Sequence, residues 1–71
     1  MNASELPVGC KARICECGDF RLRELGFESG EIIRVLASMP FSGPRAISVG
    51  ASLYALNQSE LSLIQVEQLV L

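Results

Sequence analysis

Three cysteines are the residues best suited to chemistry in this chain, and they lie close together: Cys10, Cys15 and Cys17. Thiolates bind zinc, iron and copper(I). Cys15-Glu16-Cys17 would set two of them on one face of a strand, because strand side chains alternate with a period of two. The set falls short of a metal centre on its own. Cys10 has the opposite strand parity, the chain has no histidine, and structural zinc takes four ligands. Cys15 and Cys17 are therefore weak metal candidates, workable only in a site shared across a dimer, and no resident cofactor is expected. The competing reading is that they are small, reduced, semi-buried strand residues. An odd count in a cytosolic chain also argues against a disulfide framework.

Other reactive constellations are missing. Without histidine the usual general base is gone, and nucleophile-plus-base catalysis has no visible basis, so an enzyme is not expected. Gly26-x-x-x-Gly30 does not follow a strand and lacks the Lys-Ser/Thr of a phosphate-binding loop. Net charge is −2, Lys11 is the single lysine, and the arginines are spread along the chain. Nucleic-acid binding through phosphates is thus disfavoured, since it needs clustered cations. The acidic residues read as solvated surface. No apolar run approaches the ~20 residues of a membrane span. Met1-Asn2-Ala3-Ser4-Glu5 lacks the basic and apolar segments of a signal peptide, so a cytoplasmic location is expected.

At 71 residues the chain has room for one small domain. Met1 to Glu5 reads as a loose lead-in and Leu6-Pro7-Val8-Gly9 as a turn. Cys10 to Cys17 reads as a strand, with Ala12 and Ile14 on one face and Arg13, Cys15 and Cys17 on the other. Asp19 is a suitable N-cap for a two-turn helix from Phe20, in which Leu22 and Leu25 share a face. Gly26 follows that segment where a helix needs a residue tolerant of positive φ. Gly30 opens a second strand, Glu31 to Ser38, apolar on both faces: one face belongs in the core and the other under the helix. After the Pro/Gly loop Met39-Pro40-Phe41-Ser42-Gly43-Pro44 come strands at Ala46 to Val49 and Leu53 to Leu56, reversed at Gly50. Asn57 caps one helical turn, and Leu63 to Glu67 forms a fifth strand. The apolar tail Leu69-Val70-Leu71 either folds over the barrel mouth or extends that strand and offers an edge for self-pairing. The pattern is all-β with short helices, a small and partly open β-barrel of about five strands.

The ordered signals resemble one family. They are Leu6-Pro7-x-Gly9, then Arg21-Leu22-x-x-Leu25-Gly26-x-x-x-Gly30 followed by Ile32, then Pro40-x-x-x-Pro44 and Ile47-x-Val49. Ala55-Leu56, Glu60-Leu61 and Ile64-x-Val66 complete the set. Together they resemble the bacterial ferrous iron transport protein A family, FeoA, over almost the whole chain. Ser29 stands where that family usually has proline. The resemblance implies an SH3-like barrel and a small non-enzymatic regulator of ferrous iron uptake. Its implied partner is the cytosolic GTP-binding region of the membrane transporter FeoB, which would bring the chain to the membrane only indirectly. The alternative is a metal-responsive SH3-like module related to the C-terminal domain of iron-dependent repressors.

Contact residues are sought in exposed apolar loops. Met39, Pro40, Phe41 and Pro44 form the first candidate surface; the competing reading is that Phe41 closes the barrel end. Leu25, Gly26 and Phe27 form the second, with a place in the core as the competing reading. A homo-oligomer is a further option. A peptide-binding adaptor is disfavoured, because one tyrosine and no tryptophan make a poor aromatic groove.

Overall fold

A computed structural model describes residues 1–69. It contains strands β1 (Lys11–Cys17), β2 (Ile32–Ser38), β3 (Arg45–Val49), β4 (Ser52–Leu56) and β5 (Ile64–Gln68). Helix α1 (Phe20–Leu25) follows β1, and the single turn α2 (Gln58–Leu61) precedes β5. A 3-10 turn, Ala3–Glu5, comes before them all. The strands form one antiparallel sheet in the order β4-β3-β2-β1-β5. No dimension of the molecule is below 23 Å, more than twice the ~10 Å of a packed sheet layer. The sheet therefore curls around its own core, and among the described residues β4 and β5 do not pair, so the barrel stays open.

The core consists of the inward rows that the period of two marks out: Ala12 and Ile14, Ile33 and Val35, Ile47 and Val49, Ile64 and Val66. Leu6, Leu22, Phe27, Leu56 and Leu61 fill the space between. Phe27 is the largest fully buried side chain. Its ring lies 5.6 Å from that of Tyr54 on β4, tilted by 55°, a favoured aromatic geometry.

The N-terminal segment is not a loose lead-in. Asn2 and Glu5 form a reciprocal capping box around the 3-10 turn, and Ala3 is fully buried. Asn2 bridges to Gln65, and the Val66 amide donates to the Met1 carbonyl at 2.9 Å. That covers the free edge of β5. Arg45, itself only 8 % exposed, completes the anchor: its Nη1 donates to the carbonyls of Ala3 and Ser4, both at 3.2 Å. The cation thus meets the negative end of the turn. Spacing alone gives no hint of this contact, because it joins residues about forty positions apart.

Two further expectations are corrected. Helix α1 packs beside β1 and leaves the outer face of β2 open, with Ile32 and Leu36 exposed. Leu22 is buried but Leu25, expected on the same face, is 42 % exposed. Six residues make too short a helix to bury more than one turn of one face. Of the tail, Leu69 donates its amide to the Lys11 carbonyl at 3.0 Å; the alternatives proposed for Val70 and Leu71 lie outside the described residues.

Candidate functional site

Cys15 and Cys17 do not share a face. Register along β1 shifts between Ile14, opposite Val66, and Glu16, opposite Gln65. One extra residue, Cys15, is accommodated there as a β-bulge, and a bulge reverses the parity of everything after it. Cys17 consequently returns to the core side and is 4 % exposed, while Cys15 faces solvent. The Cys17 thiol lies 3.7 Å from the Asp19 carbonyl, and Gln68 donates to the Cys10 sulfur at 3.4 Å. Ser29 Oγ donates to the Cys15 carbonyl at 2.9 Å, so the bulge is tied to the loop before β2. Proline at position 29 could not make that bond. Among the described residues no three Cys, Asp or Glu side chains converge, and the donor set does not fit a closed four-ligand zinc centre.

The helix end is built as the sequence indicates. Asp19 accepts from the amides of Arg21 and Leu22 at 2.7 and 3.2 Å, and Gly26 closes the helix at φ 115°. Tyr54 donates its hydroxyl to the Leu25 carbonyl at 3.4 Å. Of the three candidate residues here, Leu25 faces water, Gly26 is half-buried and Phe27 is fully buried. A contact role for the Phe27 side chain is therefore corrected: it fills the core, and a partner could meet only Leu25 and the backbone at Gly26.

The loop between β2 and β3 has the opposite character. The Met39 amide donates to the Pro44 carbonyl at 3.0 Å and the Gly43 amide to Pro40 at 3.2 Å, closing a tight turn. Both central residues, Phe41 and Ser42, have φ 59°, the left-handed region of a type I′ turn, where glycine and asparagine are usual. A methyl group on Gly43 would come 2.8 Å from Met39 Cβ, so only glycine fits. The outcome is a fully exposed phenylalanine. Phe41 does not close the barrel end. Met39, Pro40 and Pro44 are exposed beside it.

Next to this loop the sheet is dented. A second bulge in β2, between Val35 and Ala37, brings Ala37 opposite Ala46, and Ala46 opposite Ala55. Three small side chains thus form a row across β2, β3 and β4. With Met39 and Pro44 they line a surface hollow of about 150 Å³. Leu53, two residues before Ala55 on the same face, is 61 % exposed. The alanine row was invisible in the linear order of residues, since a bulge and two registers create it.

Curled five-stranded sheet, short helices and open edge together define a small SH3-like β-barrel. A family model for the FeoA domain matches residues 1–68. The zinc-complexed FeoA of Stenotrophomonas maltophilia, described as a procaryotic SH3 domain protein, is 36 % identical and superposes with a TM-score of 0.85, over 94 % of this chain and 89 % of that one. FeoA of Chlorobium tepidum is 27 % identical, with a TM-score of 0.88 over 99 % and 71 % of the two chains. A manganese-dependent transcriptional repressor shares the fold at 17 % identity and a TM-score of 0.83, over 97 % of this chain and 41 % of the repressor. No curated protein matches the chain. The chain belongs to the FeoA family, the small SH3-like accessory proteins of ferrous iron transport. Among the described residues no helix is long and apolar enough to cross a membrane.

Proposed function

We propose that this chain regulates ferrous iron uptake without catalysis, by docking onto the cytosolic GTP-binding region of a FeoB-type transporter. The reading puts the chain in the cytoplasm, at the membrane only through that partner. One observation carries it: Phe41 is fully exposed on a backbone at φ 59°. Holding a bulky residue there costs of the order of 1 kcal/mol, and such strain persists where the surrounding structure enforces it, often at functional sites. Met39, Pro40 and Pro44 surround the aromatic ring with apolar surface, and Leu25 at the helix end offers a second, smaller contact. Family membership supplies the transport context. A binding assay of the purified chain against the transporter's cytosolic region, with Phe41→Ala and Leu25→Glu, tests it. Phe41→Ala is expected to weaken binding at least tenfold and Leu25→Glu less; wild-type affinity in both variants would remove this surface as the docking site.

A further inference from the structure

We propose that the face carrying the β2–β3 loop also binds a second copy of this chain, each Phe41 ring seated in the partner copy's alanine-floored hollow. The hollow and the knob lie on one surface and share walls. Met39 and Pro44 flank the hollow and also bracket the turn that holds Phe41 out. A two-fold interface needs one self-complementary patch, and a projection next to a matching recess is such a patch.

Size and chemistry agree. The hollow measures about 150 Å³, the volume at which an apolar cavity is known to accept benzene, and a phenylalanine ring is of that size. Its floor is Ala37, Ala46 and Ala55. Arg45 also borders it, but the guanidinium turns away to bond the carbonyls of Ala3 and Ser4. The pairing therefore buries ring against methyl groups and leaves the Arg45 guanidinium in its own hydrogen bonds.

The area places the contact at the small end of specific interfaces. Phe41 is fully exposed, Leu53 61 %, Met39 59 % and Leu36 47 %. With ~200 Å² for an aromatic side chain, the face offers on the order of 500 Å² per copy. Two copies then bury about 1,000 Å², the lower bound for a specific interface. A weak dimer that forms and parts with concentration follows, with a dissociation constant in the micromolar range or above. The inference concerns the isolated chain and does not depend on a transporter.

Sedimentation equilibrium of the purified chain from about 10 µM to 1 mM spans that range. The weight-average mass is expected to climb from monomer towards dimer. Phe41→Ala removes the knob and Ala46→Leu fills the hole, and each should raise the dissociation constant at least about tenfold. An equimolar mixture of the two variants should regain part of the association, because the mixed dimer keeps one knob and one hole in register. Unchanged circular dichroism shows that each variant is folded. A chain monomeric throughout the range, a dimer indifferent to Phe41→Ala, or a mixture that gains nothing would each overturn the proposal.

Discussion

Two corners of this molecule each carry a phenylalanine beside a glycine, and the fold uses them in opposite ways. At the end of α1, Phe27 is fully buried against Tyr54, and Gly26 makes the sharp exit that sends it inward. At the β2–β3 turn, Phe41 is fully exposed, and Gly43 supplies the close packing that keeps the turn tight. One corner satisfies its backbone strain with glycine. The other leaves a phenylalanine and a serine at φ 59°. The difference teaches that residue type does not assign a role: a strained aromatic facing water is maintained against stability, whereas a buried one supplies it.

Measurements can break or sharpen that contrast. Phe27→Ala is expected to cost about 3–5 kcal/mol, because the cavity is central and cannot collapse. In a domain of this size that is most of the available stability, and urea denaturation should show a largely unfolded population. Gly26→Ala comes next, at about 1–3 kcal/mol, since alanine must adopt the φ of 115° that ends the helix. Asp19→Ala removes the acceptor for two helix amides and should lower stability by about 1 kcal/mol in the same assay. Ser42→Gly acts in the other direction, raising the thermal midpoint through about 0.5 kcal/mol of relieved strain. Smallest of all, Phe41→Ala should leave stability within about 0.5 kcal/mol of the parent, as exposed substitutions do, while removing the contacts that define the face. If Phe41→Ala were instead to destabilise as Phe27→Ala does, the distinction between the corners would fall.

The cysteine corner shows why part of the molecule was hidden in the linear chain. A strict period of two places Cys15 and Cys17 together. The bulge at Cys15 separates them, and what holds the bulge is a bond from Ser29, fourteen positions away. The same reason hid the alanine row, which depends on a second bulge and on two strand registers. It also hid the Arg45 anchor, whose acceptors are the carbonyls of the first turn. By contrast Asp19, Gly26 and Asn57 were legible, because a cap acts on amides and carbonyls two to four residues away.

Local chemistry written along the chain was thus enough to decide five strands, two capped helical turns, the apolar rows of the core and the family pattern. All of these rest on interactions between near neighbours or on alternation, and both can be counted in a linear string. Tertiary structure alone decided which phenylalanine is core and which is surface, which thiol meets water, and where three alanines meet to make a hollow. Those outcomes depend on register and on bulges, where shifting one residue exchanges the inside of a sheet for its outside.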